Sequence, residues 1–310
     1  GGNMIPAKHL MDEMQARGKL KMIMPWLEAR VNEGSTDSAV HTALAKIYID
    51  SNQNPQQFLD ANQYYDKLDV GKHCESINPE FAATAYEKGK CHDAMVALTT
   101  KEGMFKKQAQ YLVDCMDEDL WGRVLAEDTE ARGQLVDHLV GQVLPDCKEA
   151  HKVALCVKVF LDADLPNYLI ELLDKIVLQT GQFKGEKNLE TLLIMTAVKS
   201  NKERVQDYVS KLDNIDPVAV AGACTEGGLL EEAIALYEKA HENEKVMEVV
   251  VKHMKDMSRA TSFAAQCDDS AVWSLLARAQ LDEGMVAQAI ETYAKGHDIK
   301  DFNEVIAAAQ

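Results

Sequence analysis

The sequence predicts an all-α protein built from stacked helix hairpins, and two observations carry this prediction. The first is one pattern written twice, in residues 224–241 (CTEGGLLEEAIALYEKAH) and again in residues 280–297 (QLDEGMVAQAIETYAKGH). The second is a composition that favours helix, with only 6% aromatic residues and abundant Ala, Leu, Glu and Lys. Because self-similarity at a fixed period is typical of repeat proteins, we expect a solenoid.

Each copy has the form helix, glycine turn, helix. Gly228 and Gly284 hold the same place in the two copies, where a left-handed residue can end a helix. After each glycine, apolar residues recur at i, i+4 and i+7 and share one helical face. One hairpin cannot cover that face, so stacked neighbours must bury it. The remaining positions that we expect to define the repeat are Ala233, Ile234, Tyr237, Ala289, Ile290 and Tyr293.

The hairpin sequences also recur at a longer and less regular period. The patch AYEKGKCHDAM matches the first copy when Gly89 is placed on Gly228, and two tryptophans that follow acidic residues, Trp121 and Trp273, form a second match at a larger offset. Two unequal offsets indicate a degenerate super-repeat of about 145 residues, or about five hairpins. The repeat positions that this comparison adds are Gly89, Ala94, Trp121 and Trp273.

The chain has no Pro/Ser-rich or low-complexity linker, so we expect one continuous solenoid rather than separate domains. We predict two super-repeats with an approximate boundary, the first over residues 7–160 and the second over residues 161–310. Residues 1–6 (GGNMIP) resemble a leader or cloning remnant outside the repeats.

Prolines and capping residues divide the chain into its helices. Pro25 lies inside an apolar run, where we expect a kink or a new helix start with Trp26, Leu27 and Val31 facing inward. Three more helix starts pair a capping side chain with a proline suited to the first turn: Asn54-Pro55, Asn78-Pro79 and Asp216-Pro217.

No segment has the alternation of apolar and polar residues that is typical of a strand. Outside the two hairpin copies, the helical segments that we predict cover residues 7–17, 19–32, 39–49, 66–77, 80–88, 91–98, 104–113, 117–127, 129–143, 148–162, 165–179, 189–199, 202–212 and 301–309.

The charge of the chain excludes several kinds of partner. Fifty acidic and 33 basic residues give a formal net charge of −17, which argues against binding to nucleic acid or to an anionic membrane. The longest apolar runs are short and interrupted by charge, so we expect no insertion into a bilayer. Seven cysteines without a CxxC pair indicate reduced thiols in the cytosol.

Candidate reactive groups are few. His73-Cys74 and Cys91-His92 offer soft metal ligands, but adjacent residues on a helix point about 100° apart, so we favour a packing role. The motifs GxxxxGK[ST], HExxH, GxSxG and GxGxxG do not occur in the sequence. We therefore predict no catalytic residue, no metal and no cofactor. The tryptophans could anchor a peptide, although stacked helices usually bury them.

Five segments together resemble the leg of the clathrin heavy-chain family. They are PWLEAR (residues 25–30), LAKIYIDSNQNP (44–55), AYEKGKC (85–91), ADLPNYLIELLDKIVL (163–178) and VWSLLARAQLDEGMVAQAIETY (272–293). The resemblance extends from about residue 15 to the end of the chain, and the fourth segment is the most specific. One departure is local, because residues 115–121 (CMDEDLW) are acidic where the family pattern leads us to expect basic residues.

The resemblance implies an extended right-handed superhelix, an α-zigzag solenoid of heavy-chain repeats, here from the distal leg toward the knee. It implies a structural, non-enzymatic role in endocytosis and intracellular transport. Legs of several three-legged assemblies pack side by side and form the polyhedral coat on the cytoplasmic face of coated pits and vesicles. The implied partners are other heavy-chain legs, with light chains and adaptors bound through parts of the whole protein outside this segment.

Two rival functions remain open. A vacuolar tethering subunit carries related repeats and would use this surface to bind another protein. A peptide- or metal-binding module could instead be built around Trp26 or around the His73 to His92 group. If the chain belongs to a vesicle coat, we hypothesise that mild acid favours leg packing by protonating histidines. The candidates are His9, His41, His92, His138, His241 and His297.

Overall fold

The structure is a computed structural model that describes residues 7–126, 130–178 and 183–296. Within these ranges the chain forms helices and turns and no strand, as the sequence predicts. The predicted helix over residues 301–309 and the leader over residues 1–6 lie outside the described residues. The chain divides after Val159 into two compact units, and each is a stack of helix hairpins.

The first unit contains ten helices and most of an eleventh within its described residues. Most of the helices pack against the next helix or the next but one, as α3 does with α4 and α5, so the core is built from contacts between near neighbours. The helices are α1 (Ala7–Ala16), α2 (Met24–Asn32), α3 (Ser38–Asp50), α4 (Pro55–Ala61), α5 (Lys67–Glu75), α6 (Pro79–Gly89), α7 (His92–Lys101), α8 (Phe105–Cys115), α9 (Glu118–Leu125), α10 (Glu130–His138) and α11 (Ala150–Asp162).

The second unit repeats this arrangement. Its closest hairpins join α15 to α16 and α19 to α20, the two sequence copies that predicted the fold. The helices are α12 (Pro166–Leu173), α13 (Lys187–Ser200), α14 (Val205–Lys211), α15 (Pro217–Gly227), α16 (Leu230–Lys239), α17 (Asn243–Glu248), α18 (Met257–Cys267), α19 (Ser270–Asp282) and α20 (Val286–Gly296). The all-α solenoid of stacked hairpins is thus confirmed.

Short stretches of other helix types adjoin the α-helices. Leu20–Ile23 and Lys202–Arg204 are 3-10 turns that lead into α2 and α14. Leu139–Val143, Asp174–Leu178 and Val249–Met254 are π-helical and continue α10, α12 and α17. Each widens the last turn of its helix, which moves the following residues around the helix axis.

One type of turn ends many of the helices. A residue with positive φ follows the helix, and the next amide donates to the carbonyl five residues back, as in a Schellman motif. After Gly228 (φ 80°) this bond joins Leu229 N to Cys224 O at 2.8 Å, and after Gly284 (φ 75°) it joins Met285 N to Gln280 O at 2.7 Å. The other described residues in this position are Gly18, Gly34, Asn52, Lys90, Gly103, Asp164 and His241.

The predicted helix starts are confirmed, with one difference in detail. Asn78 and Asp216 accept hydrogen bonds from first-turn amides through their side chains, and Asp117 does so ahead of α9. Asn54 also precedes a helix that starts with proline, but it has φ 46° and caps nothing with its side chain. In that left-handed conformation its backbone turns the chain, while Pro55 is buried.

Pro25 opens a new α-helix after the 3-10 turn, as predicted, but the inward face of that helix differs from the prediction. Leu27 is fully buried and Val31 is half-buried, whereas Trp26 is 40% exposed. The prediction for Trp26 was wrong because residues 26 and 27 point about 100° apart on a helix, and only Leu27 and Val31, four apart, share the core face. Trp26 instead lies beneath the Arg30 guanidinium, 5.9 Å from its ring centroid.

The helix boundaries revise the longer period. α6 and α15 begin at Pro79 and Pro217, and α7 and α16 begin at His92 and Leu230, so the same spacing relates both pairs of helices. Neither offset taken from the sequence equals this spacing between corresponding helices. Gly89 and Gly228 are separated by slightly more residues than the spacing, and Trp121 and Trp273 are separated by many more. In the helix alignment, Gly89 corresponds to Gly227 rather than to Gly228.

The described part of the chain contains no helix both long and apolar enough to cross a lipid bilayer.

The glycine turn gives a direct test of the hairpin geometry. Gly228→Ala forces a Cβ into a left-handed conformation, so we expect the free energy of unfolding to fall by about 1 kcal/mol. The measurement is the urea midpoint followed by circular dichroism. Gly222→Ala is the matched control, because Gly222 lies inside the same helix with only the Tyr237 hydroxyl near its Cβ position, at 3.7 Å. That control should be neutral or stabilising, and a similar loss in both variants would contradict the role of the turn.

Candidate functional site

The sequence-predicted repeat positions lie mostly in the core between helices. Trp121, Ala233 and Ala289 are fully buried, and Trp273, Ile234, Tyr237 and Tyr293 are nearly so. Ala94 is half-buried on α7. That these positions define the repeat in other chains stays a prediction, but within this chain the buried ones pack between adjacent helices.

Ile290 differs from its counterpart in the first copy. It is 40% exposed, whereas Ile234 is 4% exposed on α16, which packs against both α15 and α17. The residues after Gly296 lie outside the described residues. The shared apolar pattern is therefore not sufficient by itself to predict which of its positions are buried.

The two tryptophans that were paired in the sequence occupy different layers. Trp121 lies on α9, where its indole Nε1 donates to Leu112 O at 3.1 Å. Trp273 lies on α19, where its ring packs beside Gly296, and its Cβ lies 2.7 Å from the place of an added Cβ on that glycine. Because α9 corresponds to α18 in the helix alignment, the two rings are not equivalent repeat positions.

Besides Gly296, three glycines allow helices to approach closely, and sequence reasoning missed this role for two of them. A Cβ on Gly71 would lie 2.2 Å from Cε1 of the buried Tyr86, and one on Gly227 would lie 2.5 Å from Cγ1 of Val198. Gly89 contacts Lys67 in the same way, with 2.5 Å between the Cβ positions, which explains its place in the sequence better than a turn does. Only pairs of facing residues reveal such contacts, so the linear sequence gives no signal for them.

Ion pairs join helices of successive hairpins. Arg123 Nη1 lies 2.7 Å from Asp93 Oδ1, and in the equivalent pair of helices Arg259 Nη1 lies 2.6 Å from Glu231 Oε1. The hydrogen bond from Arg259 lowers the pKa of Glu231 below its ordinary value. Both pairs are largely exposed, so each adds under about 1 kcal/mol to stability.

Two polar clusters are more deeply placed. Lys46, 5% exposed, donates to both oxygens of Asp69 at 2.9 and 3.0 Å and to Gln15 Oε1 at 3.3 Å. In the second unit, Arg204 pairs with Asp174 at 2.7 Å and lies 4.8 Å from the Tyr208 ring centroid. Burial raises the pKa of Tyr208 above its ordinary value, and the nearby negative charge of Asp174 adds to the increase.

The metal-ligand candidates have other partners. His73 Nε2 lies 2.7 Å from Asp50 Oδ1, and His92 Nδ1 lies 2.9 Å from the Tyr111 hydroxyl. Cys74 is fully buried, and Cys91 is half-buried just before α7. Among the described residues, no group of three His, Cys, Asp or Glu side chains is arranged to hold a metal ion.

The thiols are shielded rather than activated. All seven cysteines are free. Burial raises the pKa of Cys74 and of Cys156 to about 12 and that of Cys224 to about 11. A nucleophilic thiol needs the opposite shift, produced by a nearby cation or a helix N-terminus. These cysteines therefore act as small apolar residues of the core.

Of the histidines proposed to respond to acid, His41 is buried. Its Nε2 lies 2.7 Å from Ser35 O and its Nδ1 lies 2.7 Å from the Asn62 amide, so it is not available to a neighbouring molecule. His9 and His241 are exposed, and His92 and His138 are half-buried. His297 lies outside the described residues.

This arrangement defines the chain as a helical-repeat scaffold, because its described residues form stacked hairpins whose polar clusters join helices to one another. A family model described as the region in clathrin and VPS proteins matches residues 1–136 and 144–287. The chain belongs to this clathrin repeat family. The exact position along a heavy-chain leg and the super-repeat boundary at residue 160 stay predictions.

Similar proteins of known name support the same family assignment. The chain is 45% identical over 308 residues to a clathrin heavy chain of Dictyostelium discoideum, and the alignment covers 99% of this chain. It is 42% identical over 300 residues to Clathrin heavy chain 2 of Homo sapiens and to a clathrin heavy chain of Drosophila melanogaster, and each alignment covers 97% of this chain. The chain spans only 18% of the length of each of these relatives.

The shielded thiols predict a labelling pattern. At about pH 8 a thiol of pKa about 12 is ionised in roughly one molecule in ten thousand, so iodoacetamide should modify Cys74 and Cys156 only after unfolding. The half-buried Cys147 should react in the folded protein and serves as the internal control. Peptide mass spectrometry checks the pattern, and rapid labelling of Cys74 in the folded chain would contradict it.

The Gly71 contact predicts a large loss of stability from a small change. Gly71→Ala places a methyl group inside the Tyr86 ring, so we expect a loss of about 2–3 kcal/mol in a urea titration. Gly122→Ala, in a helix of the same unit with no atom within 4 Å of the added Cβ, is the control and should be neutral or stabilising. Equal effects would show that the close approach of α5 and α6 is unimportant.

Proposed function

We propose that this chain is a segment of a clathrin heavy-chain leg and acts as a structural, non-enzymatic scaffold of a vesicle coat. The observation that carries the proposal is the identity of 45% to a named heavy chain over 99% of the chain. The stacked-hairpin fold supports it, because such stacks present long side surfaces to neighbouring molecules. The partners in this proposal are other heavy-chain legs.

The structure suggests how such a segment works. Each helix rests on its near neighbours in sequence, so strain is shared among many small interfaces within a unit. Individually weak contacts between legs can then hold a lattice when many act together, because each contact raises the effective concentration of the next. The formal charge of −17 opposes close packing of like surfaces and keeps each contact weak.

The remaining roles belong to the whole protein. Light chains and adaptors would bind parts outside this segment, and the coat would lie on the cytoplasmic face of coated pits and vesicles during endocytosis and intracellular transport. The tethering alternative is less favoured, because the relatives reported above are named as clathrin heavy chains. The family description includes VPS proteins, so the two roles share the same fold.

A chimera tests the proposal. This chain replaces the matching 308 residues of the Dictyostelium discoideum heavy chain, and assembly is followed by sedimentation and electron microscopy. We expect cages like those of the parent protein, because the segment would supply both the stacked hairpins and the leg contacts. Circular dichroism and mass measurement must first show that the chimera is folded and keeps the parent's subunit number. A folded chimera that forms no cages would contradict the proposal.

The acid hypothesis makes a separate prediction in the same chimera. If exposed histidines cause acid-promoted packing, replacing the exposed His9 and His241 with Gln should narrow the difference in assembled fraction between about pH 6 and pH 8. The unsubstituted chimera is the reference. An unchanged difference, measured by sedimentation, would exclude these two histidines as the source of acid-promoted packing.

A further inference from the structure

One exposed stripe on the first unit differs from the rest of this acidic chain. Lys19, Met22, Trp26 and Arg30 follow one another at spacings of three or four residues along the 3-10 turn and α2, so they share one side of that segment. We call this set the Trp26 stripe. Met22 is 72% exposed and Trp26 is 40% exposed, and the two cationic residues lie at its ends.

The opposite side of the same segment is fixed in the core. Leu20 and Leu27 pack with Val40 and Leu44 in the cluster between α2 and α3. Tyr48 also donates a hydrogen bond to Glu28 at 2.9 Å, which joins α2 to α3. The Trp26 stripe is therefore held on a rigid base, and its exposed side chains need little reordering before they bind a partner.

The charged residues within the stripe, Lys19 and Arg30, are both cationic, although the chain as a whole is acidic. Lys19, Lys21 and Arg30 form no ion pair with any residue that the structure describes. The Arg30 guanidinium is held near the Trp26 ring at 5.9 Å, which orders both side chains. A chain with a net charge of −17 thus presents unpaired cations on both sides of two exposed apolar residues.

We propose that the Trp26 stripe is a docking site for an acidic amphipathic helix of a partner protein. Tryptophan, methionine and arginine are the residue types that are enriched at protein interfaces, and tryptophan and arginine dominate binding energies there. The stripe extends over about 16 Å of helix, which matches three turns of a partner helix with apolar residues at i, i+3 and i+4. Its unpaired cations select Asp and Glu beside those apolar residues.

An anionic membrane is the less favoured occupant. Recognition of anionic lipids typically uses clusters of four to eight cations. The stripe and its surroundings provide three unpaired cations, because Arg17 is already paired with Glu13 at 3.0 Å. The excess of acidic residues over the whole chain would also repel an anionic surface.

The test is a titration of the intact chain into a fluorescein-labelled helical peptide with leucines at i, i+3, i+4 and i+7 and glutamates elsewhere. We expect saturable binding by fluorescence anisotropy, weakened at least about tenfold by Met22→Ser with Trp26→Ser. Lys19→Gln with Arg30→Gln should weaken binding by about three- to tenfold and flatten its salt dependence. Ile77→Ser, at a 48% exposed apolar residue outside the stripe, is the matched control and should leave binding unchanged.

Other outcomes would overturn the proposal. They include no binding at about 1 mM protein, equal binding of a peptide with lysine in place of glutamate, and equal loss with Ile77→Ser. Binding to phosphatidylserine vesicles without peptide binding would assign the stripe to a membrane. Self-association that the stripe variants abolish, again without peptide binding, would assign it to a second copy. The titration is repeated with the longest natural form of the protein. A loss of binding there would overturn the proposal, because another segment of the same protein would then occupy the stripe.

Discussion

The left-handed residue that ends a helix, together with the hydrogen bond from the next amide to the carbonyl five residues back, is the constraint on which this architecture depends. It reverses the chain within two or three residues and satisfies carbonyls that the helix end would otherwise leave unpaired. Glycine meets this demand at Gly228 and Gly284, but Lys90 and His241 meet it with φ 50° and 59°. The non-glycine positions show that the cost of the left-handed conformation is offset when packing fixes the next helix.

Apolar contact between near neighbours provides most of the stability of each unit. Facing helices approach closely where a glycine meets a side chain, as Gly71 meets Tyr86. The ion pairs that join hairpins, such as Arg123 with Asp93, are largely exposed and contribute less. Their contribution is to the register between helices, because a charged pair tolerates little sliding of one helix along the next.

The thiols and the buried lysine of the chain belong to its packing. Burial raises the pKa of its inner thiols, and the buried Lys46 is neutralised by Asp69 within the fold. On the surface, the formal charge of −17 opposes close contact between like surfaces, and the Trp26 stripe differs from it by carrying two cations and two exposed apolar residues. A scaffold with weak, distributed contacts can be assembled and taken apart, because no single interface dominates its binding energy.

The sequence by itself determined the helix class, the glycine turns and most helix starts, because each depends on local backbone preference and on a repeated apolar pattern. It also indicated the family, through long segments such as residues 163–178 that resemble clathrin heavy chains, and the identity of 45% over 308 residues confirmed it. Only the tertiary structure decided which apolar residues are covered, so Trp26 was wrongly placed in the core. It also decided the spacing of the longer repeat and the part played by Gly89, because both depend on which helices face each other, and that information is absent from any local stretch of sequence.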